Sequence, residues 1–166
     1  MGLALEVARR SNALHIDAYP AEAIRWAKVA ITDTIGCAVA GAAEDTGKIA
    51  LKVAADGMAG GPCTVLGTSS KLRPLDAAFA NATAGHALDF DDTSKTMAGH
   101  PTVIIVPAML ALGETRRCSG RALVEAYIVG LETATRIARS VNFHHYEKGW
   151  HPTATLGIFG AAAACG

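Results

Sequence analysis

Aromatic residues are scarce: Phe, Trp and Tyr together make up 5% of the 166 residues. Pleated sheets favour aromatic and β-branched side chains, so a large β-architecture is disfavoured from the outset. A surplus of either charge is also missing, since 15 Lys and Arg balance 15 Asp and Glu. A nucleic-acid binder needs a basic excess to neutralise phosphates, which argues against nucleic acid as the main partner. A local basic pocket for a small anion remains compatible with this balance. Cysteine pairing is absent too. Cys37, Cys63, Cys118 and Cys165 are far apart in sequence and form no C-x-x-C, which suggests neither a zinc site nor a disulfide framework. Buried, reduced thiols are expected instead. The longest uncharged apolar stretches, Val103–Gly113 and Thr153–Gly166, fall short of the roughly 20 residues that cross a bilayer. Glu6, Arg9 and Arg10 interrupt the N-terminal apolar stretch, so no signal peptide is read. These features point to a soluble, cytoplasmic protein with no membrane partner.

What the chain has in abundance is alanine and glycine, within an apolar share of 51%. Small residues let helices approach closely, and the expected fold is all-α: one compact multi-helix domain of small-residue-rich helices, with at most one short strand. Leu3–Leu14 reads as a short amphipathic helix, with His15 on the surface. A second helix runs from about Ala21 to Ala40, opened by Pro20 and closed near Gly41. Its apolar stripe is Ile24, Ala27, Ile31, Ile35 and Ala38, and Trp26 is expected as a core anchor. Glu44–Ala55 reads as a helix weakened by Gly47, with Ile49, Leu51 and Val53 as its apolar set. Asp56–Pro62 reads as a loop, Thr64–Leu66 as the one strand and Gly67–Arg73 as a polar loop. Lys71 and Arg73 can bind an anion, but solvated loop charge is the preferred reading. Pro74 opens a helix of small residues, Val103–Thr115 forms a buried one, and Ser119 caps a long one. Leu123, Ala126, Tyr127, Gly130, Leu131, Ala134 and Ile137 give that last helix its stripe. Val141–Trp150 reads as a polar, aromatic loop, and Thr153–Gly166 as a final apolar helix with nothing after it to bury it.

Chemistry concentrates between Ala82 and Pro107. His86, Asp89, Asp91, Asp92 and Thr93 crowd together, and His100-Pro101 follows. On a continued helix His86 and Asp89 share a face, and so do Asp89 and Thr93. Three neighbouring aspartates repel, and folding them among apolar helices raises at least one pKa. Such groups beside histidines suit acid–base work. The cluster also admits a structural reading, in which Asp91, Asp92 or Thr93 merely caps the helix that follows. His100 on its Gly-His-Pro turn favours function. His151-Pro152-Thr153 repeats the His100-Pro101-Thr102 tripeptide, each ahead of a helix whose positive dipole end favours an anion. The alternative is a plain loop-to-helix junction capped by Thr102 or Thr153.

Four passages together resemble one known family. They are Ala23–Ala42 (AIRWAKVAITDTIGCAVAGA), Asn81–Thr93 (NATAGHALDFDDT), Gly99–Glu114 (GHPTVIIVPAMLALGE) and Lys148–Ala164 (KGWHPTATLGIFGAAAA). In this order they resemble the N-terminal helical domain of the MmgE/PrpD family. The resemblance implies that residues 1–166 form that domain, C-terminally truncated, with a smaller α+β lid domain absent. It implies a homodimer when full length, small di- or tricarboxylate substrates, and no metal or organic cofactor. The resemblance matches Asp89, Thr93, His100 and His151 to active-site positions of the family, and it implies that Asp89, Thr93 and His100 also bind substrate. A lysine and a tyrosine of the family pattern fall beyond residue 166. The activities implied are 2-methylcitrate dehydration, cis-aconitate decarboxylation and iminodisuccinate epimerisation. The segment from Thr93 to His100 is slightly longer than in the decarboxylases, which places dehydration first: a cofactor-independent carbon–oxygen lyase removing a proton next to a carboxylate. Two other readings stand beside it. One is an inactive binding or structural remnant that lacks the lid. The other is a metal-dependent hydrolase using His86, Asp89 and His100 as ligands, although no H-E-x-x-H or comparable motif supports it.

Overall fold

A computed structural model describes residues 2–56 and 60–166. Among the described residues the chain forms eight α-helices and one two-stranded antiparallel hairpin. In order these are α1 (Leu3–Asn12), a single 3-10 turn (Ile16–Ala18), α2 (Ala21–Gly41), α3 (Asp45–Ala55), β1 (Cys63–Thr64), β2 (Lys71–Leu72), α4 (Pro74–Gly85), α5 (Thr102–Arg116), α6 (Gly120–Val141), α7 (His144–Glu147) and α8 (Pro152–Cys165). The expected all-α class holds, with one addition. Part of the polar loop after Gly67 folds back as β2, so Lys71 pairs with Thr64 and Leu72 with Cys63. Of the expected Asp56–Pro62 loop, Gly57, Met58 and Ala59 lie outside the described residues.

Helix α5 is the centre. It packs against α4, α6, α8 and α2. Val103, Ile105, Val106, Pro107, Met109 and Ala111 are all buried, on more than one face, as expected of a helix apolar all round. One core joins Ile105, Val106 and Met109 to Ala27, Val124, Tyr127 and Ile128; a second lies under the hairpin, around Cys63, Leu72, Ala77 and Ala111. The stripe expected on α2 faces inward, and so does the one on α6. Ser119 caps α6 as expected, accepting from the Ala122 N–H at 3.2 Å.

Small residues set the helix spacing. A Cβ on Gly130 would lie 2.7 Å from the Gly160 carbonyl oxygen, and one on Gly160 would lie 2.9 Å from that of Gly130. Helices α6 and α8 therefore cross backbone to backbone. This corrects the expectation that the final helix has nothing to bury it: Pro152, Thr153, Leu156, Gly157 and Gly160 are buried, while Ile158 and Phe159 remain exposed.

The same close packing overturns three further expectations. On α3 the inward residues are Gly47, Ala50 and Ala54, while Ile49 and Val53 are exposed, because Gly47 sits against the carbonyl of Gly41, where no larger side chain fits. Trp26 is 55% exposed, with the Arg25 guanidinium 4.3 Å above its ring, since the smaller Ala27 takes the inward place. Cys118 is exposed and Cys165 half-buried, so only Cys37 and Cys63 are buried thiols. The Val141–Trp150 segment contains the short α7. Lys71 and Arg73 are exposed, and Arg73 pairs with Asp76 at 2.8 Å, in keeping with solvated charge. No helix among the described residues is long and apolar enough to cross a membrane.

Candidate functional site

The site forms where α4 ends and α5 begins. Helix α4 stops at Gly85, and a Cβ there would lie 2.9 Å from Val103 Cγ2, so the chain leaves α4 pressed against α5. The chain then turns, and Asp89 adopts φ +56°, a left-handed conformation that Asp tolerates better than most residues. That turn corrects the helical-face expectation. His86, Asp89 and Thr93 do not lie along one continued helix, and their neighbours are set by loop geometry instead.

The loop brings two histidines onto one buried carboxylate. The Asp91 side chain is 0% exposed. His86 Nδ1 lies 2.9 Å from Asp91 Oδ1 and 3.1 Å from Oδ2. His100 Nδ1 lies 3.2 Å from Asp91 Oδ2 and 3.3 Å from the Asp91 carbonyl oxygen. The two rings meet edge to face, with centroids 4.6 Å apart. On the other side of His100, Nε2 lies 3.6 Å from Asp89 Oδ1, whose side chain is 78% exposed. A carbonyl only accepts, so His100 Nδ1 carries a hydrogen, and Nε2 is the ring nitrogen turned towards Asp89. That is the arrangement of a general base held by its far nitrogen.

Asp92 points the other way and performs the capping role that the structural reading assigned to this cluster. Its Oδ1 accepts from the Thr102 N–H at 3.2 Å, and its Oδ2 accepts from the Thr102 hydroxyl at 2.6 Å. Tyr127 in turn donates its hydroxyl to Thr102 Oγ1, 2.8 Å away. This chain ties the start of α5 to the middle of α6. Burial pushes the Asp92 carboxyl above the ordinary carboxylate range; the Thr102 hydrogen bonds oppose the rise and Asp91 adds to it. Burial likewise pushes Tyr127 up to about 12. Asp92 also lines a groove of about 410 Å³ between α2 and α6, together with Trp26, Asp33 and Leu131.

Of the four expected site residues, Asp89 and His100 are neighbours. Thr93 is exposed and makes no side-chain hydrogen bond among the described residues. His151 is exposed just ahead of α8, with its ring 6.1 Å from that of Tyr146. The two His-Pro-Thr tripeptides nevertheless meet, because the His100 N–H donates to Thr153 Oγ1 at 2.9 Å. Thr153 therefore bonds a loop residue, and the His151 side chain makes no cap bond at the start of α8. Sequence reasoning missed the pairing of His86 with Asp91. Their five-residue separation suits no helical face and becomes a contact only because the chain turns at Asp89.

Donor-type atoms of His86, Asp89, Asp91 and His100 all lie within 4.8 Å of one another, a set that a divalent cation could use. As folded, both Nδ1 edges are turned onto Asp91 as hydrogen-bond donors, so Nε2 is the ring nitrogen of each histidine left with a lone pair.

The geometry places two histidines, a shared buried carboxylate and an exposed carboxylate just beyond the end of α4, within the block that sequence comparison also matches. Residues 6–166 match the MmgE/PrpD N-terminal domain. The chain belongs to the MmgE/PrpD family. It is 29% identical over 171 aligned residues to a cis-aconitate decarboxylase of Aspergillus terreus (strain NIH 2624 / FGSC A1156), covering 99% of this chain and 35% of that protein. It is 34% identical over 149 residues to the human cis-aconitate decarboxylase, covering 85% of this chain and 30% of that protein. With the mouse cis-aconitate decarboxylase the identity is 37% over 99 residues, 57% of this chain and 20% of that protein. The chain thus spans about a third of the length of the fungal and human relatives.

Proposed function

We propose that this MmgE/PrpD chain supplies the helical side of a lyase site for small di- or tricarboxylates, working by acid–base chemistry without a cofactor. The observation that carries this reading is His100: its Nδ1 is tied to Asp91, and its Nε2 lies 3.6 Å from the exposed Asp89. In this reading His100 or His151 moves the proton, Asp89 orients or charge-stabilises the histidine, and Thr93 hydrogen-bonds a substrate carboxylate. Decarboxylation breaks the bond to a carboxylate carbon, releases CO2, leaves the electron pair on the substrate, and ends when an acid delivers a proton to carbon. Dehydration starts with loss of a proton beside a carboxylate and ends with loss of hydroxide. Both pass through a carbanion-like state that one set of residues can serve.

The relatives' activity puts decarboxylation of a cis-aconitate-type tricarboxylate ahead of the dehydration that the sequence favours. Dehydration is the second reading, supported by the longer Thr93–His100 segment, a turn closed by the Ser94 N–H on the Gly99 carbonyl at 2.9 Å. The test is CO2 release from cis-aconitate by the native protein, with 2-methylcitrate dehydration assayed in parallel. Asp89→Asn is expected to lower turnover by about 10²-fold. Near-normal turnover in that variant would remove Asp89 from the mechanism. No turnover of either substrate by native protein would favour the inactive-remnant reading.

A further inference from the structure

The buried Asp91 carboxylate binds two imidazoles, and only one of them belongs to the proposed machinery. A carboxylate removed from water costs several kcal/mol unless its lone pairs are matched by donors. Here the nearest donors are ring nitrogens, and His86 has the closer approach to the carboxylate, at 2.9 and 3.1 Å. Because an ionised carboxylate only accepts, His86 Nδ1 must carry its hydrogen, as His100 Nδ1 does. Both rings therefore turn their Nε2 edges away from Asp91. For His100 that edge faces the exposed Asp89. The His86 side chain is 41% exposed, and its ring packs edge to face on that of His100.

We infer that His86 is a second substrate-facing imidazole of this site, and that Asp91 is the positioning residue that holds it beside His100. This inference rests on the reading that the site takes small carboxylates. An anion arriving at the Nε2 edge favours the doubly protonated ring, whose Nδ1–H stays on Asp91 and whose Nε2–H donates to the ligand. His86 then anchors a substrate carboxylate, and His100 keeps its Nε2 for the proton that moves. The ligand class is a small polycarboxylate, and no bond is made or broken at His86.

Long-range ¹H–¹⁵N spectra of histidine-labelled native protein test this, with tricarballylate (propane-1,2,3-tricarboxylate) as an unreactive probe. In free protein the neutral form of each ring, His86 and His100, should be the Nδ1–H tautomer. Tricarballylate should shift Nε2 of both and leave His15, which is paired with Glu125, unmoved. His86→Asn retains a donor placed like Nδ1 but lacks Nε2, and should weaken tricarballylate binding about tenfold or more. His86→Gln, whose amide reaches the Nε2 position, should recover part of the loss. In Asp91→Asn, His100 should keep its tautomer, because the backbone carbonyl remains, while His86 loses its single form. An Nε2–H tautomer at His86, or a probe that shifts His100 alone, would overturn the inference and leave the lyase reading standing. Response of both rings without turnover would support the inference and count against the lyase. Response of neither ring would overturn both.

Discussion

Gly41 ends α2 where that helix touches α4 at Ala84, two residues before His86. A Cβ there would overlap the Ala84 carbonyl oxygen and lie 2.9 Å from its carbon and 3.2 Å from Ala87 Cβ. These are mostly backbone atoms, which cannot rotate away, so α4 itself must shift. Inserting a methyl group into a packed contact costs about 1–3 kcal/mol. At the opposite extreme is Gly36, on the same helix, where a Cβ would meet nothing within 4 Å. There the helix-propensity gain of alanine over glycine, about 0.5–1 kcal/mol, should appear undiminished. For a chain of this size each kcal/mol moves the melting temperature by about 2–4 °C. Gly41→Ala should therefore melt roughly 3–10 °C below wild type, and Gly36→Ala a few degrees above it. Calorimetry on the two variants side by side decides the matter, because glycine-to-alanine chemistry is common to both and only the packing differs. If Gly41→Ala melts with or above Gly36→Ala, close helix contact is not what these glycines provide, and the account of the α2–α4 crossing fails.

Three other outcomes are expected. Ser119→Ala should cost about 1 kcal/mol in urea unfolding, through loss of the α6 cap, and an unchanged midpoint would remove that role. Asp92 has its carboxyl raised above the ordinary 3.8, so the folded state binds more protons than the unfolded one between the two values, and its contribution to stability falls as pH rises through that window. Asp92→Asn cannot titrate, so its stability relative to wild type should improve from pH 3.8 upwards and level off above the folded value; a flat difference across a urea series would refute the burial argument. Under native conditions a thiol reagent should label Cys118 first and reach the buried Cys37 and Cys63 only on unfolding, and equal labelling of all four would contradict this packing.

The helical class, the inward stripes of α2 and α6 and the Ser119 cap were legible in the sequence, because each is set by residues within a few turns of one another. The Ala- and Gly-rich composition also announced close helix packing. The blocks around HALDFDDT and the two His-Pro-Thr tripeptides carried the family resemblance, which the match over residues 6–166 bears out. What the sequence could not supply was any pairing fixed by neighbouring elements. Ile49 and Val53 look like a core face, but Gly47, Ala50 and Ala54 turn inward because α3 approaches too closely for larger side chains. The spacing of His86 and Asp89 suits a helix, yet α4 stops at Gly85 and the turn at Asp89 delivers His86 to Asp91 instead. Likewise Asp92 became the cap of a helix ten residues later, and Thr153 the partner of His100. Local propensity and periodicity wrote the helices into the chain, whereas only the crossing of α4, α5 and α8 decided which side chain shares which buried charge.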